Sequence, residues 1–227
     1  MPYRVFVDGQ EGTTGLEINE RLKKRNDINL LKIDPDKRKE KSERKKLINE
    51  ADIVFLCLPD DAARESVSLL ENSGARIIDS STAHRTNDLW TYGLPELSTS
   101  QREKIRTSKR VSVPGCYATG FNLLMHPLIK EGIVPWDYPA TCHAVSGYSG
   151  GGKKLIARYE QAASLDESMK SPRFYSLGLK HKHIPEMQKI SGLISPPLFT
   201  PIVGPYYKGM TVAVPLHSRL HLFPVCR

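Results

Sequence analysis

The amino-acid sequence predicts an α/β fold, with a parallel sheet built from β-α-β units in the first half and a second half of different texture. Three observations carry that reading. Short apolar runs alternate with amphipathic stretches as far as about residue 130, as strands and covering helices do. Sixteen glycines and sixteen prolines are scattered along the chain rather than clustered as in a low-complexity or collagen-like sequence, with local glycine-dense turns after the first apolar run and at 147–152. The 227 residues are 39% apolar and 26% charged, a globular balance that excludes long disorder and leaves room for one large or two small cores.

Tyr3 to Val7 reads as the first strand, Thr14 to Arg25 as a helix carrying Leu16, Ile18 and Leu22, and Ile28 to Ile33 as the second strand. Ile53 to Leu58 is apolar at every position, and Pro59-Asp60 then opens a helix through Leu70. Strands at Arg76 to Asp79 and Arg110 to Val113 follow, and a helix from Tyr117 to about Lys130 stops before Gly132 and Pro135. Beyond Pro139 come a strand at Thr141 to Ser146, a glycine-dense turn, a helix from Lys153 to Ala163, proline-rich loops and a strand at Met210 to Val214. Domains are expected at 1–115 and 116–227, with Cys116 at the junction and the sheet domain reaching as far as about residue 139.

No apolar run approaches the roughly 18 residues of a membrane span, and Met1-Pro2-Tyr3-Arg4 leads straight into a strand pattern. A soluble cytoplasmic protein with no membrane partner is expected. Cys57, Cys116, Cys142 and Cys226 have no metal-knuckle or disulfide spacing, and no His or Cys cluster suits a metal. The formal net charge of +8 is concentrated at Lys37 to Lys46, where seven basic and two acidic side chains interleave without an aromatic residue on which a base could stack. That run reads as a solvated helix face, so no nucleic-acid partner is expected.

The chemistry-bearing residues come next. After the first strand, Gly9, Gly12 and Gly15 stand at G-x-x-G-x-x-G, with Glu11, Thr13 and Thr14 between them. Such glycines let the chain turn sharply and bring main-chain N–H groups at a helix start to a pyrophosphate. The spacing departs from G-x-G-x-x-G, which leaves a plain tight turn as the competing reading. At the end of the second strand, Asp34 and Asp36 could hold a ribose, whereas Lys37 and Arg38 suit a 2′-phosphate, favouring NADP over NAD.

Cys116 follows a strand and Pro114-Gly115 and opens a helix, where the dipole favours a thiolate. Cys57 and Cys142 read instead as small buried hydrophobes. Proton-transfer partners for a reactive thiol lie at Lys180-His181-Lys182-His183; on an extended segment the two imidazoles would face opposite ways. Ser146 to Lys153 could hold a ligand or simply cross between domains.

In order along the chain, VDGQEGTTG, DSSTAHR (79–85), YGLPE (92–96), VPGCYAT (113–119), SGYSGGGK (146–153) and HKHIPE (181–186) resemble the N-acetyl-γ-glutamyl-phosphate reductase family, type 2 branch, over residues 1 to 217. The resemblance implies a Rossmann NADP domain joined to an α+β substrate domain, a homo-oligomer, and reduction of an acyl phosphate to an aldehyde in arginine biosynthesis. It makes Cys116 the nucleophile that forms a thioester and His183 the acid/base. It places the Gly9 to Gly15 loop on the pyrophosphate, Ser149 and Gly150 near the nicotinamide, and Arg85 on the substrate phosphate or carboxylate. Selectivity among acetylated, carrier-linked and aminoadipyl substrates is set by pocket shape, which a sequence does not display. After His217 the chain ends in SRLHLFPVCR where family members continue, so an incomplete substrate domain is expected. The competing readings are a nucleotide-binding or assembly protein of the same family that has lost catalysis, and nucleic-acid binding through the basic run.

Overall fold

The structure, a computed structural model, describes residues 1–9, 13–71, 74–162 and 167–220. The chain divides into two compact units, Met1–Pro114 and Gly115–Arg227.

In the first unit the elements run β1 (Tyr3–Asp8), α1 (Thr13–Leu22), β2 (Ile28–Leu31), α2 (Lys41–Glu50), β3 (Ile53–Leu56), α3 (Asp60–Ser68), β4 (Arg76–Asp79), β5 (Thr91–Tyr92), α4 (Gln101–Thr107) and β6 (Arg110–Ser112). The six strands lie in the order β2-β1-β3-β4-β6-β5, and every pairing is parallel. Because β1 pairs with both β2 and β3, the winding reverses there and opens a crevice beyond the strands' carboxyl ends. Phe6, Ile48, Val54, Leu56, Ala63 and Ile77 make the core on which that crevice rests. The α/β expectation holds, with β5 and α4 as additions the apolar pattern is too short to announce.

The second unit contains α5 (Cys116–Lys130), β7 (Thr141–Gly147), α6 (Lys153–Ala162), β8 (Arg173–Phe174), α7 (Ile184–Ser191), β9 (Leu198–Gly204) and β10 (Met210–Ala213). Its sheet has the order β10-β7-β9-β8, with β7 and β9 parallel and the outer pairings antiparallel. Tyr117, Phe121 and Met125, spaced by four, put one face of α5 into the core with Cys142, Met187 and Phe199. The first sheet's unit therefore does not extend to residue 139: α5 belongs to the second unit, where its aromatic stripe is buried.

Two further differences have local causes. The proline-rich stretch expected to be loop contains β9, whose Pro201 sits opposite Ala144 in a seven-residue ladder. Residues 181–183 are not extended; His183 has φ −84° and ψ −12° and caps α7, because Ile184-Pro185 begins a helix, with proline suited to its first turn.

Candidate functional site

Each unit holds a large cavity. That of the first unit, about 460 Å³, opens over the carboxyl ends of β1 and β3 and is lined by Asp8, Gly9, Arg38, Lys39, Arg44 and Cys57, among others. Gly9 has φ +92°, and a Cβ there would stand 2.3 Å from the Cys57 carbonyl oxygen. No other residue type fits that turn. The close approach keeps the floor of the crevice bare backbone, a cradle a side chain would fill. Gly15 is buried in α1 and accepts a hydrogen bond from Asn19 Nδ2 at 2.9 Å, while Thr14 is exposed. Glu11 and Gly12 lie outside the described residues, as does the side chain of Thr13.

Beside Gly9, the Asp8 carboxylate accepts hydrogen bonds from Arg44 Nη2 (3.1 Å) and Ser66 Oγ (2.7 Å), and Arg44 Nη1 reaches Glu65 at 2.9 Å. Burial works against the Arg44 charge, but the two carboxylates outweigh it and raise its pKa. Arg44 is thus not part of a solvated basic face, as the charge run suggested, but a buried counter-ion under the crevice. Arg38 and Lys39, from the turns after β2, contribute the cations of the cavity wall. Cys57 lies just past β3 rather than inside it; burial, with Asp79 and Asp8 nearby, pushes its thiol up to about 11 despite a hydrogen bond involving Ser80.

The second unit's cavity, about 390 Å³, is lined by Cys116, Ser146, Gly150 and Tyr175, with Arg158 and Arg173 the cations among its other lining residues. Cys116 is the exposed cysteine at the first turn of α5, whereas Cys142 is buried and its thiol pushed up to about 12 by burial. The cap residue Gly115 is extended (φ −70°, ψ 145°), its carbonyl accepts from Thr119 N–H at 2.8 Å, and its N–H donates to the buried Glu186 Oε1 at 2.8 Å. Glu186 closes the HKHIPE motif on the first turn of α7 and points inward instead of to solvent.

His183 is 5% exposed, and its ring contacts those of His181 (4.8 Å between centroids) and Tyr117 (5.8 Å). The two histidines therefore share one side, because the helix cap turns the chain between them. His183 N–H donates to His181 Nδ1 at 3.1 Å, which places any proton of neutral His181 on Nε2. Burial, aided by the Lys182 charge, lowers the His181 pKa and keeps it neutral. Tyr117, next to Cys116, accepts a hydrogen bond from Tyr175 at 2.8 Å, and burial raises the pKa of both phenols.

The glycine-rich turn is shaped by contacts as much as by the cavity. A Cβ at Gly147 would meet the Tyr206 carbonyl oxygen at 2.7 Å, and Ser149 N–H donates to Tyr207 O at 3.0 Å. Gly150 lines the Cys116 cavity. Arg85 lies in the first unit, 9% exposed, donating from Nη2 to the Ser80 carbonyl at 2.9 Å, and lines neither cavity. Its loop is organised by the buried Asp79, which takes His84 Nδ1 at 2.6 Å while Trp90 stacks on the imidazole. Among the described residues no group of three or more His, Cys, Asp or Glu could hold a metal ion, and no helix is long and apolar enough to cross a membrane.

Residues 5–107 match the semialdehyde dehydrogenase NAD-binding domain, and residues 116–222 match the semialdehyde dehydrogenase dimerisation domain. The chain is 50% identical over 218 residues to N-acetyl-γ-glutamyl-phosphate reductase 2 of Pseudomonas putida, covering 95% of this chain and 68% of the relative. It is 51% identical over 216 residues to the N-acetyl-γ-glutamyl-phosphate reductase of Trichormus variabilis, covering 94% and 67%. The chain thus spans about two thirds of the length of these relatives. Among solved structures, aspartate semialdehyde dehydrogenase II of Vibrio cholerae matches with a TM-score of 0.67 at 15% identity, covering 94% of this chain and 74% of the other. The enzyme from Candida albicans matches at 0.57 and 12%, covering 93% and 71%. At those identities the likeness is one of fold.

Proposed function

The chain belongs to the N-acetyl-γ-glutamyl-phosphate reductase family, and from that premise we propose that it reduces N-acetyl-L-glutamyl 5-phosphate to N-acetyl-L-glutamate 5-semialdehyde with NADPH, as a cytoplasmic homo-oligomer serving arginine biosynthesis. The observation that carries the reading is the exposed Cys116 opening a helix into a cavity that also holds two arginines.

The Cys116 thiolate attacks the acyl carbon; the new C–S bond replaces the C–O bond to phosphate, which leaves with its electron pair. The start of α5 at Cys116 turns its helix N–H groups toward the charge that develops, while the Gly115 N–H is held by Glu186. A bound nicotinamide supplies the hydride that takes the thioester to the level of an aldehyde. His183 donates the proton to the resulting oxyanion and takes it back as the C–S bond breaks, which restores the thiolate. Neutral His181, accepting from the His183 backbone, sets where that imidazole sits. Residues fit for the dinucleotide are Gly9 and Gly15 for the pyrophosphate, with Arg38, joined by Lys39, for a 2′-phosphate. Glu11, Gly12, Thr13 and Thr14 complete that loop, Ser149 and Gly150 are assigned to the nicotinamide side, and Arg85 to the departing phosphate.

The test is phosphate-dependent formation of NADPH from N-acetylglutamate 5-semialdehyde by the full chain. Cys116→Ser is expected to abolish it, His183→Asn to lower kcat by about 10² or more, and retained turnover in the serine variant would remove the covalent route. Arg38→Ala is expected to raise the KM for NADP while leaving that for NAD unchanged.

A further inference from the structure

Arg158 and Arg173 line the Cys116 cavity, and among the described residues no aspartate or glutamate does. Neither arginine has an ion-pair partner among the described residues. Arg173 is nonetheless held in place. Its Nη2 donates to Met169 Sδ at 2.6 Å and lies 3.5 Å from Tyr159 Oη, and its guanidinium sits 5.8 Å from the centre of the Tyr159 ring. Tyr159 is buried and stacked on Tyr148 at 4.5 Å and 6°. A half-buried cation fixed by neutral neighbours keeps its charge unspent for a ligand, since each of its supports leaves the positive field intact. The remaining wall is largely apolar, with Leu155, Phe174 and Val203 suited to methyl and methylene groups.

We propose that Arg158 and Arg173 read the α-carboxylate of an N-acylated amino acid in the Cys116 cavity, and that the same positive field, offset by no carboxylate among the described lining residues, rejects a free α-ammonium. This rests on the acyl-phosphate reading above and extends it to substrate selection. The carboxylate, unlike the phosphate, stays on the substrate through both chemical steps, so the two cations, of which Arg173 is held in place, serve it throughout. An acetyl cap removes the ammonium charge that the pair would repel and offers a methyl group to the apolar wall.

Binding can be read without turnover. N²-acetyl-L-glutamine has the carboxylate, the acylated nitrogen and an unreactive amide at the reacting end. 4-Acetamidobutanamide lacks the carboxylate, and L-glutamine has a free ammonium. Calorimetry on the full chain, together with protection of Cys116 from iodoacetamide, is expected to show N²-acetyl-L-glutamine bound at least tenfold more tightly than either of the others. Arg173→Gln and Arg158→Gln should each weaken it about ten- to a hundredfold, the range of one charged hydrogen bond, and leave 4-acetamidobutanamide unchanged. Arg173→Lys, which retains the charge without the fork, should fall between. Arg158 is exposed, so its substitution leaves the fold intact and keeps the test decisive if Arg173→Gln is unstable. The proposal is overturned if the preference survives both glutamine variants, if L-glutamine binds as well as its acetyl derivative, if the unaltered chain binds no N²-acetyl-L-glutamine, or if the arginines govern affinity for inorganic phosphate instead. Turnover that depends on Cys116 would persist in any of those cases, so the reductase reading fails separately.

Discussion

Glu186 is the residue whose task is set most narrowly by its surroundings. It is 1% exposed and accepts the Gly115 N–H at 2.8 Å, so the turn before the thiol is fastened to the first turn of α7. Removing the acceptor leaves a buried donor unmet, and Glu186→Ala should destabilise the chain by about 1–3 kcal/mol in urea denaturation. Glu186→Gln, whose amide oxygen can still accept, should recover most of that loss, and Cys116 alkylation should return to its original rate with it. Arg44 is the counterpart in the first unit. Replacing it with Leu strands the buried Asp8 carboxylate, with an expected cost of about 3–5 kcal/mol, measured as a drop in the denaturant midpoint with unchanged slope.

At the scale of elements, α7 decides how the histidines work. The folded pKa of His181 is depressed below the ordinary imidazole value of about 6.5, so the folded state binds fewer protons than the unfolded one as the pH falls below that value. Its contribution is fully present above the ordinary value and is lost as pH falls toward the folded pKa. Charges and titratable groups around it are Lys182, His183, Tyr117 and Tyr175. His181→Asn, which keeps an acceptor for the His183 N–H, should flatten the fall in melting temperature between about pH 7.5 and 5.5 relative to the unaltered chain. The β1–α1 turn makes a different demand. A side chain at Gly9 would collide with the Cys57 backbone at φ +92°, so Gly9→Ala should lose nicotinamide-nucleotide binding in a fluorescence titration and melt lower.

For the whole chain, two units with separate cores imply that a nucleotide stabilises through the first of them. NADP at a hundred times its Kd should add about 2.7 kcal/mol to the stability of the state that binds it. Differential scanning calorimetry should show that upward shift in the unaltered chain and none in Gly9→Ala.

Apolar runs such as Ile53 to Leu56 and the stripe of Tyr117, Phe121 and Met125 at four-residue spacing determine local structure, because burial on two faces or on one stripe demands those periods. So the sequence by itself determined the parallel sheet, the glycine turn after β1 and the thiol at the start of α5. It missed β9 because Pro201 is a poor strand residue, tolerated only where its neighbours build the ladder. What brings Arg44 under Asp8, Glu186 to Gly115, His181 beside His183, and Arg158 and Arg173 around Cys116 is tertiary packing alone. These partners stand far apart in sequence or depend on one helix cap, and the strength of a charge or hydrogen bond is fixed by burial and neighbours that no local pattern encodes.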